Sequence, residues 1–226
     1  MWTTNDRRAP RGWRGRRPSL AGWLVLASLA AGCANQTTMA ARPEYPLERS
    51  RSAILVTPGG RDLDAVPSSR EAAGLMARAL GSRFFNVLAF DAVVQASPDL
   101  AKPLARVARQ VLAGQLIDRD VADILFQRHG VGQLLVLEVF RAEQYWGRET
   151  KIARVGMDAR LVLLADGRTL WQGRADPELS GSPGHAMDAA TGRVVRELVR
   201  ALAGGLPEFK DTPLADLPVL EYLTPN

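Results

Sequence analysis

Cysteine and histidine are the scarcest chemical resources in this 226-residue chain: one cysteine, Cys33, and two histidines, His129 and His185. A single cysteine excludes an intrachain disulfide, and two isolated histidines without a cysteine pair give no metal-ligand spacing. Nucleophilic catalysis needs a nucleophile, a base and an orienting group that converge in space. The one Ser/His/Asp set available is Ser180 or Ser182 with His185 and Asp188, all crowded into one short stretch. The acidic pair Asp62 and Asp64 flanks a loop and reads as solvated charge. Pro58-Gly59-Gly60 lacks the lysine and glycine spacing of a phosphate-binding loop and reads as a turn. The sequence therefore predicts no enzyme, no metal and no cofactor.

Long apolar runs are also missing. The longest, Leu20 to Ala31, is about a dozen residues, short of the ~20 that a spanning helix needs. It follows a basic stretch of Arg7, Arg8, Arg11, Arg14, Arg16 and Arg17, the order expected of a secretory signal peptide. Arg16-Arg17 is followed by Pro18-Ser19 and lacks the apolar pair of a twin-arginine signal. The net charge of +5 belongs to this segment. Residues 1–32 hold six of the 29 basic residues and one of the 24 acidic ones, which leaves 23 of each in the rest. A charge-balanced remainder makes no electrostatic case for nucleic acid.

What the chain does have begins at residue 30. Ala30-Ala31-Gly32-Cys33 resembles the lipobox of bacterial lipoproteins, with Ala30 standing where that motif more often has leucine. The resemblance implies cleavage between Gly32 and Cys33 and acyl chains, palmitate among them, on Cys33. Ala34 follows where an enterobacterial inner-membrane protein would carry Asp, so the resemblance points to the outer membrane, facing the periplasm. The expected division is a signal peptide over 1–32, a lipidated flexible tether over 33–51, an α/β domain over 52–206 and an extended tail over 207–226.

Within the domain, Ala53-Ile54-Leu55-Val56 reads as a buried strand. Ser68 and Glu71 form a capping box ahead of an amphipathic helix that stops near Gly81. A second strand is expected within Phe84–Val94. Pro98 and Pro103 open a helical region with Leu104, Val107, Ala108 and Val111 on one face. Asp118 caps a further helix carrying Val121, Ile124, Leu125 and Phe126, and His129-Gly130 closes it. Gln133–Tyr145, Lys151–Ala165 and Arg168–Asp176 read as a three-stranded meander, with Asp166-Gly167 as a two-residue hairpin turn. Trp171 belongs to the core, with Leu170 and Gln172 on the opposite face. A final helix spans about 185–203, and Phe209 and Tyr222 would pin the tail to the domain.

The order of elements, together with Val162-Leu163-Leu164-Ala165-Asp166-Gly167-Arg168-Thr169-Leu170-Trp171, resembles the periplasmic α/β domain of the TolB N-terminal type. That domain is shared by curli-secretion (CsgG) and penicillin-binding-protein activator (LpoB) lipoproteins. The implied fold is a mixed sheet with a C-terminal antiparallel meander, packed by helices, and the helical region 98–116 is an addition to it. The implied function is a lipid-anchored accessory protein that binds and modulates or assembles an envelope complex for peptidoglycan synthesis, export or transport. Its partners would be the membrane, an envelope protein and, by the same resemblance, a second copy of itself. The alternative is a subunit of an outer-membrane secretion channel. Arg141, Glu143, Arg154, Asp158 and Arg160 spread along the long strands and count against that alternative. Tyr145 and Trp146, at the tip of the first hairpin, are the candidate partner-binding residues, because aromatic anchors dominate interfaces.

Overall fold

The structure, a computed structural model, describes residues 42–43, 52–60, 67–81, 84–146, 151–176, 178–181, 186–213 and 216–217. All of them fall in one compact unit, Thr37–Asn226.

The chain forms a mixed α/β fold around a six-stranded sheet. The strands are β1 (Ala53–Pro58), β2 (Val87–Ala89), β3 (Val131–Trp146), β4 (Lys151–Leu163), β5 (Thr169–Ala175) and β6 (Glu178–Gly181). Their order is β2-β1-β3-β4-β5, with β6 beside the early part of β4. β1 runs parallel to β2 and to β3, while β3, β4 and β5 form the expected antiparallel meander. β1 is buried at every position, as its continuous apolar run requires of a central parallel strand.

Helices cover the sheet on both sides, and alternation along the strands supplies two cores. On one side, α1 (Pro67–Gly81) and α5 (Ala186–Ala203) bury Met76, Leu80, Val194 and Leu198 against Ile54, Val56, Leu135, Leu137, Met157 and Leu161. On the other, α2 (Phe90–Ala96), α3 (Ala101–Leu112) and α4 (Arg119–His129) bury Phe90, Leu104, Val107 and Leu125 against Leu55, Leu134, Val136 and Val162. Region 98–116 is thus part of the fold's second layer, where its stripe Leu104, Val107, Ala108 and Val111 is buried.

Several local expectations change. The strand predicted within Phe84–Val94 shrinks to β2. From Phe90 the chain is helical, because Phe90 and Val93, one turn apart, both reach the second core and Asp91 sits in the first turn. α1 starts at Pro67, before the predicted cap, which suits proline's preset φ at a first helical position. The connection between β4 and β5 has five residues. Leu164 turns into the second core, and Asp166 Oδ1 accepts the Arg168 amide at 2.9 Å. Only then does Gly167, at φ 72°, close the turn. A register shift at Leu161/Val162 also carries Leu170 to the same core as Trp171, leaving Gln172 exposed opposite. Glu178–Gly181, between the meander and the final helix, forms a further strand that pairs with β4 at Lys151–Arg154. Phe209 does pin the tail: it meets Phe84 edge-on, with centroids 5.8 Å apart.

Candidate functional site

The β3–β4 hairpin dominates one end of the domain. The two strands stay paired from Gln133↔Leu163 to Trp146↔Lys151, but β1 accompanies β3 only as far as Leu137. The chain needs another partner for the edge just past that point, and the Val139 amide donates to Ser69 Oγ of α1 at 3.3 Å. Between Val139 and Arg141 the register shifts by one residue, and this bulge turns Arg141 and Glu143 to the same side as Gly156 and Arg154.

The two faces of the outer hairpin differ in chemistry. One presents Ala153, Val155, Met157 and Ala159, all buried in the core that α1 and α5 cover. The other carries a network of charges. Asp176 accepts from Arg141 at 2.6 Å and from both Nε and Nη2 of Arg154 at 3.1 Å. Arg174 stacks 3.9 Å above the Phe140 ring and reaches Asp158 at 3.5 Å. The Phe140 ring lies against Gly156, where a Cβ would come 2.5 Å from its Cζ, so a larger residue there would have to push the ring aside. Arg160 donates to the Val111 carbonyl at 2.6 Å and ties the end of α3 to β4. Burial raises the pKa of Asp158 above its usual 3.8, with Arg174 and Arg160 pulling the other way. Asp176 thus joins β3 to β4 through Arg141 and Arg154, while the Asp158 charge is disfavoured by its burial.

At the tip, Tyr145 and Trp146 end β3, exposed by 43% and 69%. Of the other residues singled out from sequence, Trp171 is buried in the first core. His129 lies 3.2 Å from Ser97 Oγ and ends α4 ahead of Gly130, whose φ of 67° is the left-handed cap expected. Asp118 caps α4 by accepting the Asp120 amide. Asp188 lies in the first turn of α5 and Ser180 in β6, while Ser182 and His185 fall outside the described residues. Gly32, Cys33, Asp62, Asp64 and Tyr222 also fall outside them. Among the described residues, no three His, Cys, Asp or Glu side chains gather to hold a metal, and no helix is long and apolar enough to cross a membrane.

A second feature escapes sequence reading. Phe126, placed by spacing on the apolar face of α4, is 60% exposed at the lip of a 290 Å³ cavity with Val131, Leu163 and Leu164. The helix buries Val121, Ala122 and Leu125, and Phe126 lies just past that stripe. Leu116, in the loop before α4, is 87% exposed.

No protein-family model matches the chain, and no curated protein does. Among solved structures it is similar to the lipoprotein GNA1162 from Neisseria meningitidis, at 18% identity and a TM-score of 0.45, over 66% of this chain and 98% of that one. It is similar to a PelC dodecamer from Paraburkholderia phytofirmans at 13% identity and a TM-score of 0.45, over 74% and 99%. The LpoB C-terminal domain from Salmonella enterica follows at 16% and 0.32, over 59% and 87%. Likeness at this level says nothing about activity.

Proposed function

We propose that this chain is a lipid-anchored, non-enzymatic accessory protein of the bacterial cell envelope, which binds a protein partner through the tip of its β3–β4 hairpin. The anchor reading is supported by the basic stretch, the short apolar run and Ala30-Ala31-Gly32-Cys33. Stable attachment takes two membrane signals, and a multiply acylated Cys33 would supply them on the periplasmic side of the outer membrane.

One observation carries the binding reading: Trp146, the residue type most enriched at interface hot spots, is 69% exposed at the end of a 16-residue strand. A secretion-channel role would need the apolar side of the hairpin to face lipid. Here Val155, Met157 and Ala159 are already buried under the domain's own helices, which favours the accessory reading.

The test is a pull-down from intact envelopes with the wild type and Trp146→Ala side by side. Truncating a hot-spot residue costs about 2 kcal/mol or more, so the partner's affinity should fall about 30-fold. Retention of every partner at wild-type level would contradict the proposal. Cys33→Ala should move the protein to the soluble fraction, and mature protein that stays with the membrane would contradict the anchor.

A further inference from the structure

The inner end of the β3–β4 hairpin, opposite the tip, holds the 290 Å³ cavity that Phe126 lines. Its walls come from the start of β3 at Val131, the end of β4 at Leu163, the following Leu164, and α4 at Ala122. Val131, Leu164 and Ala122 are buried, so the interior is apolar. Backbone bonds tie these walls together. The Leu164 amide donates to the Gly132 carbonyl at 3.0 Å, and the Ala53 amide donates to the Gly130 carbonyl at 2.9 Å. A cavity held between fixed elements exists before anything enters it. Its volume falls just under the range usual for small-molecule sites and suits one large side chain. Asp123 stands in the lining, and among the described residues no cation pairs with it.

The same chain carries a side chain of that kind. Trp146 is 69% exposed, and Lys151 stands opposite it in the strand register. A tryptophan with a lysine across the strand pair complements an apolar cavity with a carboxylate, in shape and in charge. Val131 and Trp146 are the two ends of one 16-residue strand, about 50 Å apart when extended, so cavity and tip cannot meet within one molecule. We propose that Trp146 of one copy inserts into the Phe126–Leu164 cavity of a second copy, with Lys151 set toward Asp123. This rests on the reading of the hairpin tip as a docking surface and names its partner. Insert and cavity lie on different surfaces of the chain, so the contact is heterologous. A copy bound at one end still presents the other, and assembly continues head to tail. One inserted tryptophan buries about 150–250 Å², well below a standard interface, so the association is weak and reversible.

The test is sedimentation velocity of the full chain in detergent, over a concentration series that reaches the millimolar range. The wild-type mass should rise with concentration and pass that of a dimer. Trp146→Ala removes the insert, and Ala165→Arg places a bulky side chain at the exposed rim of the cavity. Each should shift association to a concentration at least about 30-fold higher. Mixed together, the two variants should form a one-to-one dimer and stop there, the first giving its cavity and the second its Trp146. Phe126→Glu, at the exposed lip, takes the place of Ala165→Arg should that variant fail to fold. A monomeric wild type, a mixture that stays monomeric, or an Ala165→Arg variant that assembles like wild type would overturn the self-docking. The tip reading is tested separately. Envelope partners kept by Ala165→Arg and lost by Trp146→Ala, with a monomeric wild type, would keep the tip as a docking surface and overturn the second copy as its occupant.

Discussion

The two halves of β3 share one strand and have opposite fates. From Val131 to Leu137 it lies between β1 and β4, with helices on both faces and nearly every side chain buried. From Glu138 to Trp146 it loses β1, turns charged on one face and ends in exposed aromatics. The change falls where the bulge at Val139/Arg141 resets the register. The inner half is scaffold, and its sequence is apolar because both faces need covering. The outer half buries only one face, carries ion-paired charges on the other and ends in exposed aromatics.

This comparison orders the effects of mutation. Leu135→Ala in the inner half should cost the most, about 2–5 kcal/mol, because a fully buried side chain leaves a cavity between sheet and helix. Urea unfolding measures it, and a loss under 1 kcal/mol would deny the inner half its scaffold role. Gly156→Ala should come next, about 1–3 kcal/mol, since the new methyl must push Phe140 and the stacked Arg174 aside. Asp176→Asn should cost a comparable or smaller amount, about 1–3 kcal/mol, by leaving Arg141 and Arg154 without their shared carboxylate. Trp146→Ala should change stability by no more than about 0.5 kcal/mol while it weakens partner binding. A large loss of stability there would make Trp146 part of the scaffold.

Asp158 gives the smallest and most specific effect. Its folded-state pKa is raised, so folding favours the protonated carboxyl. The stability this contributes is fully present below about pH 3.8 and is lost as pH rises through the higher folded value. Urea midpoints taken below and above that window should show Asp158→Asn without this part of the wild type's decline. An identical pH profile in both proteins would mean that Arg174 and Arg160 cancel the burial.

Much of the inner scaffold was legible from residue pattern. The apolar runs at Ala53 and Leu134, the cap at Asp118 and the left-handed glycine at Gly130 each encode one local solution, and each is found. Other parts were less legible because tertiary contacts decide them. Phe90 to Ala96 is rich in strand-forming residues yet is helical, since the second core rewards a one-turn spacing over alternation. A bulge leaves no sequence signal, so Leu170 could not be assigned to the core of Trp171 from alternation alone. Charges on long strands count against a membrane-facing hairpin, but their roles under Asp176 and over Phe140 come from residues some twenty to thirty-five positions apart. Phe126 shows the limit of helical spacing: one position past the buried stripe, it faces out.

The central claim is that the exposed hairpin tip is where a partner docks. The most direct measurement places a photo-crosslinking amino acid at position 146 and, in a second strain, at the still more exposed position 116, and irradiates intact cells. The account predicts a discrete protein adduct from 146 and none from 116. Adducts from 116 alone, or the same adducts from both positions, would contradict it.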